Sequence, residues 1–328
     1  MRKLQYTLVF AIVLLFESTT SEARVTRYLT GNPADVQPVL QGAAHDFGGG
    51  GTDVDPAIQW MINEARGCTD CDVKVDVVVL RATGSNGYNA PIAAMNGVDS
   101  VETLVITDRK DALKSTVLAV INLAEVIFFA GGDQCDYVRL FKGTGIERAV
   151  KNVYRRGGAV GGTSAGLAIQ SEFVYDACSG SVSSADALHN PYDSSVTFTE
   201  NFFNWNNLQD TLTDTHFQQR DRMGRLMAFL ARQIRDGRTS NVLGIAVNEA
   251  TSVVVDRNGL ARVMGSGAAY FVLADHQPEI CEPNMPLTYS NYKIWKVSPG
   301  ETFDLQTRPT SGYYQISVNA EQLSANPY

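Results

Sequence analysis

Along this chain, short continuous apolar runs alternate with longer stretches whose apolar residues recur every three to four positions. Residues 73–80, 102–107 and 125–130 are the short runs, rich in Val, Ile and Phe. Runs of that length with β-branched or aromatic content read as buried strands. Residues 55–65, 110–122 and 136–156 carry the helical period instead. Such alternation predicts an α/β fold, a mostly parallel sheet with helices on both faces. From about residue 241 the character becomes β-rich, with segments at 243–247, 252–256, 268–273 and 292–297. Asp256-Arg257-Asn258-Gly259 reads as a hairpin turn through its Asn-Gly pair. These strands are expected to finish the same domain as an antiparallel tail, because no linker, repeat or low-complexity stretch sets them apart.

The first 23 residues break this pattern. Met1-Arg2-Lys3 is basic, residues 8–16 are uniformly apolar, and Ser21-Glu22-Ala23 is a small-x-small cleavage site. That is the layout of a signal peptide, and the apolar core is too short to span a bilayer comfortably. The expected division is a signal peptide at 1–23 and a single α/β domain at 24–328, secreted to an extracellular or periplasmic compartment after cleavage near Ala23. Cleavage removes Arg2, Lys3, Glu17 and Glu22, two of each sign, so the formal charge stays at −8. With a pI near 5.1, that charge argues against nucleic acid or an anionic membrane as partner. At 328 residues and 44% hydrophobic content, a sizeable core can be buried.

All five cysteines lie beyond the signal. In an oxidising compartment Cys68-Thr69-Asp70-Cys71 reads as a local disulfide. Cys178 could pair with Cys281, or one of them stays free, and the odd count leaves one thiol over. No cysteine occupies a nucleophile's position.

Three stretches carry chemistry. Gly161-Gly162-Thr163-Ser164-Ala165-Gly166 has a serine at the G-x-S-x-G spacing of a nucleophile elbow, where small residues let a strand turn sharply into a helix. A neutral serine needs that exposure, a base, and donors aimed at the developing oxyanion. The apolar run 125–130 stops at Gly131-Gly132-Asp133-Gln134, a polar loop at a strand's carboxyl end, where open α/β sheets place ligands. Asp214-Thr215-His216-Phe217 leads into Arg220, Arg222, Gly224 and Arg225 and a helical pattern running to Ile234. Of the four histidines only His216 stands among polar residues that could orient it, since His45, His189 and His276 sit in other turns and loops. Gly48 to Gly51 lacks the Gly-Lys-Ser/Thr of a phosphate loop, so it reads as a strand-to-helix turn near the catalytic rim, with Asp53 or Asp55 capping the helix. No cluster has metal-ligand spacing, and no metal or cofactor is expected.

Taken together these stretches resemble the cyanophycinase-like family of serine exopeptidases, relatives of aspartyl dipeptidases. The likeness runs through Gly131 to Gln134, Gly161 to Gly166, the Asp214–Arg225 stretch and Gly244-Ile245-Ala246-Val247-Asn248-Glu249. It implies a mostly parallel, three-layer sheet of flavodoxin-like, class I glutamine-amidotransferase-like type with a β-rich C-terminal part. It implies Ser164 as nucleophile and His216 as general base. For the third member, Val182-Ser183-Ser184-Ala185-Asp186-Ala187-Leu188 matches an acidic stretch of secreted-looking relatives, so Asp186 is expected, with Glu200 in reserve. The oxyanion would be met by Ala165 and by Gly132 or Asp133. Gln134, Asp214, Thr215, Arg220, Arg222 and Arg225 would bind a β-linked aspartyl-arginine unit or a related isoaspartyl peptide. A helix beginning at His216 would turn Arg220 into the site. Thr215 stands where the family usually has glutamine, which bears on substrate preference. An α/β-hydrolase esterase and an inactive binding module are the other readings, and a homodimer is left open.

Overall fold

The computed structural model describes residues 25–328; the signal-peptide expectation lies outside them. Five parallel strands form the centre of a nine-stranded sheet, in the order Val98–Val105, Val75–Arg81, Val126–Phe129, Ala159–Thr163, Ala44–Gly48. Val75–Arg81 shows why such strands read as unbroken apolar runs. Val77 and Val79 pack with Ile58, Met61 and Ile62 of the helix Asp55–Arg66, while Val78 and Leu80 face Ile121 and Val150 on the other side. Thr26–Gly31 closes one edge antiparallel, and Thr251–Val255, Leu260–Gly265 and Thr302–Asp304 extend the other.

The β-rich part from 241 does not all join this sheet. Val242–Val247, Ala269–Ala274, Tyr289–Val297 and Tyr314–Asn319 belong to a second, eight-stranded sheet. There Val242–Val247 runs parallel to Thr211–Asp214, which is itself parallel to Phe173–Tyr175. The two sheets share one core: Leu243, Ile245 and Val247 pack in the same cluster as Phe47, Val160 and Val253. The other face of the second sheet is covered by the helix Met223–Arg235. The architecture is α/β with a parallel centre and a β-rich C-terminal part.

Several local expectations change. The stretch 136–156 is two helices, Gln134–Phe141 and Gly145–Arg155, and the second is capped by Thr144 Oγ1 accepting the Ile146 N–H at 3.2 Å. The helix after His216 starts only at Met223; Gln218–Arg220 is a single 3-10 turn, and Asp221 is left-handed with φ 48°. The helix Asp55–Arg66 follows Val54 with no side-chain cap, so neither Asp53 nor Asp55 plays that part. Cys68 pairs with Cys71, but Cys178 pairs with Cys135 rather than Cys281, which is a buried free thiol. Among the described residues no helix is long and apolar enough to cross a membrane.

Candidate active site

Three strand ends converge on one edge. Ser164 immediately follows Ala159–Thr163, His216 comes two residues after Thr211–Asp214, and Glu249 two residues after Val242–Val247. The first of these strands lies in the nine-stranded sheet and the other two, parallel to each other, in the eight-stranded one, so residues distant in sequence meet where the two sheets' strand ends come together.

The serine sits at a true elbow. Its backbone is at φ 54°, ψ −116°, an unusual conformation for a non-glycine residue. The glycines beside it are there for space: a Cβ on Gly166 would lie 2.2 Å from the Phe129 carbonyl oxygen, and one on Gly162 would lie 2.7 Å from the same atom. Ser164 Oγ is 2.7 Å from His216 Nε2, and His216 Nδ1 is 2.6 Å from Glu249 Oε1. The glycine-rich turn holds the ring from behind. The His216 N–H donates to the Gly49 carbonyl at 2.7 Å, and a Cβ on Gly50 would lie 2.4 Å from His216 Nε2.

Burial lowers the His216 pKa below its usual value, and nearby Arg220 and Arg222 lower it further against the opposing pull of Glu249. The lowering favours the neutral ring, the form that can accept a proton.

The imidazole's carboxylate partner is thus Glu249, not Asp186 or Glu200. Asp186 is exposed; it accepts from Ser183 Oγ at 2.6 Å while its own N–H donates back to Ser183 Oγ at 3.1 Å. The matched stretch is the N-cap of the helix Ser184–His189, with the Ser183 side chain accepting the Asp186 N–H. Glu200 pairs with Arg238 at 3.1 Å on an edge strand. Glu249 lies beyond the interval between Ser164 and His216, where the resemblance points for the carboxylate. Its signal was in the chain all the same: Asn248-Glu249 ends an apolar run, as Gly131 to Gln134 does.

Gly132, Asp133, Gln134, Ser164, Thr215, His216, Arg220 and Arg222 line a pocket of about 300 Å³, with Ala177, Gly180 and Ser181 opposite. The Ala165 N–H opens a short helix, where it has no intrahelical acceptor, and a Cβ on Gly131 would lie 3.7 Å from Ser164 Cβ. Asp133 caps the helix Gln134–Phe141 by accepting the Cys135 N–H at 2.8 Å. The Cys135–Cys178 disulfide ties this wall to the Ala177–Ser181 wall.

Two residues expected at the substrate lie beneath the pocket instead. Asp214 and Arg225 are both buried and form a bidentate pair, Arg225 Nε at 2.8 Å from Asp214 Oδ2 and its Nη2 on Oδ1. Arg222 is 3.6 Å from Asp214, and its Nη1 donates to the Thr215 carbonyl at 2.8 Å. Arg220 reaches the pocket from the irregular turn rather than from a helix face. Among the described residues no group of three or more His, Cys, Asp or Glu is arranged to hold a metal ion.

A serine, a histidine and a carboxylate in this order, under a cleft with backbone donors, make a nucleophile–base–orienter chain of the serine hydrolase kind. The profile of peptidase family S51 matches residues 95–261, so the chain belongs to that family and is a serine-type peptidase. Cyanophycinase from Trichormus variabilis is 28% identical over 217 residues, 65% of this chain and 67% of the relative. The cyanophycinase of Synechococcus elongatus is 27% identical over 216 residues, 64% and 62% of the two chains. In fold, the chain is similar to a peptidase from an acI-B1 Actinobacterium, with a TM-score of 0.55 at 16% identity over 82% of this chain and 98% of that one.

Proposed function

We propose that this protein is a secreted exopeptidase that hydrolyses β-aspartyl isopeptide bonds, on cyanophycin-like β-aspartyl-arginine units or related dipeptides. In this reading residues 24–328 act as one catalytic domain. Ser164 Oγ attacks the scissile carbonyl while His216 Nε2 takes its proton. Glu249 holds the Nδ1 tautomer and stabilises the imidazolium that forms. The Ala165 N–H and a backbone N–H of the Gly132–Asp133 loop meet the oxyanion. His216 then gives the proton to the leaving amine, and water repeats the sequence on the acyl-enzyme.

The observation that supports the substrate half is that Arg220 and Arg222 line the pocket that also contains Ser164. A β-linked aspartyl residue offers a free carboxylate beside the bond to be cut, and a guanidinium fork matches a carboxylate with two parallel hydrogen bonds. Secretion is supported by the basic-apolar-small layout of the first 23 residues and by two cysteine pairs at bonding distance.

The deciding experiment is turnover of cyanophycin and a panel of β-aspartyl dipeptides by the purified protein, beside a neutral p-nitrophenyl ester. Cleavage of the dipeptides, lost in Ser164→Ala, supports the reading. Turnover of the ester alone would move the protein to the esterase alternative.

A further inference from the structure

The loop carrying the pocket's arginines has little regular structure to hold it. Asp221 lies between Arg220 and Arg222 and takes a left-handed backbone at φ 48°, which aspartate tolerates better than most residues. What fixes Asp221 therefore fixes where both guanidinium groups begin.

Tyr328 grips that point. Its hydroxyl donates to Asp221 Oδ1 at 2.9 Å and accepts the Met223 N–H at 3.0 Å. The Met223 N–H is the first of the helix Met223–Arg235 and has no intrahelical acceptor, and Arg222 at the N-cap supplies no side-chain cap. The Tyr328 ring stands edge-on to Phe217 and Tyr270, with centroids 6.1 and 5.8 Å away. Burial, together with Asp221, raises the Tyr328 pKa, so the hydroxyl keeps the proton it donates. Ser184 Oγ donates to the Asp221 carbonyl from the other side.

The His216 carbonyl accepts the Arg220 N–H at 3.0 Å, but the ring and its own N–H are anchored by Glu249 and Gly49. Loosening Asp221 therefore acts first on Arg220, because the Arg222 guanidinium is also held by the Thr215 carbonyl and Asp214, while the Ser164–His216–Glu249 chain keeps its own hydrogen bonds.

We propose that Tyr328 is a positioning residue for substrate binding: through Asp221 and the Met223 N–H it holds Arg220 and Arg222 toward the pocket and so sets KM for substrates with a free carboxylate. This rests on the reading that those arginines hold the substrate carboxylate.

Tyr328→Phe keeps the ring and removes both hydrogen bonds. KM for β-aspartyl-arginine should rise about tenfold, the scale for losing a hydrogen bond to a charged partner, with kcat unchanged. Fluorophosphonate labelling of Ser164 and hydrolysis of a neutral ester should be unaffected. Asp221→Ala should reproduce most of the effect, and the double variant should lose less than the two single losses combined. An unchanged KM, an equal loss on the neutral ester, or additive losses in the double variant would overturn the proposal. Failure of the function reading looks different, because wild type itself then cleaves no β-aspartyl peptide. The same variants are in that case compared by the inhibition constant of succinate against ester hydrolysis: weaker inhibition in Tyr328→Phe supports the positioning role, and equal inhibition ends it.

Discussion

Glu249 Oε1 lies 2.6 Å from His216 Nδ1, and Ser164 Oγ lies 2.7 Å from Nε2 of the same ring. Each ring nitrogen has one partner, which fixes the tautomer: Nδ1–H donates to the carboxylate and Nε2 accepts from the serine. Glu249→Gln would favour the wrong tautomer while keeping the shape. It should lower kcat/KM by about three to four orders of magnitude, the scale seen when an orienting carboxylate is neutralised. Asp186→Ala and Glu200→Ala should leave kcat/KM near wild type. Steady-state kinetics on the three variants decides the point, and the opposite ranking would remove Glu249 from the mechanism.

The pH profile follows from the same ring. Only neutral His216 can take the serine proton, so activity rises with pH as the ring deprotonates. Burial first, then Arg220 and Arg222, lower its pKa, so the acid limb of kcat/KM should have its midpoint below 6.5, the ordinary histidine value. Arg220→Ala removes one of the lowering charges and should move that limb upward. A limb above the ordinary value in wild type would contradict the assignment of His216 as base.

Arg220 is predicted to act on binding. Arg220→Ala should weaken kcat/KM for β-aspartyl-arginine by about 1.5–3 kcal/mol, the range for a hydrogen bond to a charged group. Labelling of Ser164 by a fluorophosphonate should persist. Measuring both on the same preparation separates a lost carboxylate contact from a damaged nucleophile.

Stability should carry a pH signature from Asp46, which is buried on Ala44–Gly48. Burial raises its pKa from 3.8 to about 7, helped by Asp53 and opposed by a hydrogen bond from Ser252. Between those two values the folded protein binds more protons at this carboxyl than the unfolded chain does, so its contribution to stability falls as pH rises through the window. Asp46→Asn cannot ionise. Its thermal midpoint should gain on wild type progressively from pH 4 to pH 8, by several degrees at the upper end. A constant difference between the two proteins across that range would refute the linkage.

The parts of this site legible in sequence are those whose meaning is local. The elbow around Ser164 is set by glycines whose Cβ atoms would strike Phe129, and such a constraint leaves fixed letters at fixed spacing. His216 stands out among only four histidines, and the structure places it against Ser164 and Glu249. Glu249 ends an apolar run, but its meeting with His216 depends on the parallel pairing of Val242–Val247 with Thr211–Asp214, a long-range contact that local sequence does not show. Asp186 misled for the opposite reason: Ser183-x-x-Asp186 is a strong local pattern, but its meaning is a helix start. The parallel centre followed from alternation. The division of the β-rich tail between two sheets did not, because strand propensity says nothing about which partner a strand finds.

That division matters beyond topology. Ser164 follows a strand of the nine-stranded sheet, while His216 and Glu249 follow strands of the eight-stranded one, so the proposed catalytic chain bridges a seam between the two sheets. Neither sheet carries the whole hydrogen-bonded chain by itself. A slip of an ångström between the sheets would break the 2.7 Å contact between Ser164 and His216 while sparing nearly every backbone hydrogen bond. Catalysis is therefore a more sensitive gauge of how these two layers sit together than any measure of secondary structure. Heat or denaturant should silence the protein before it visibly unravels.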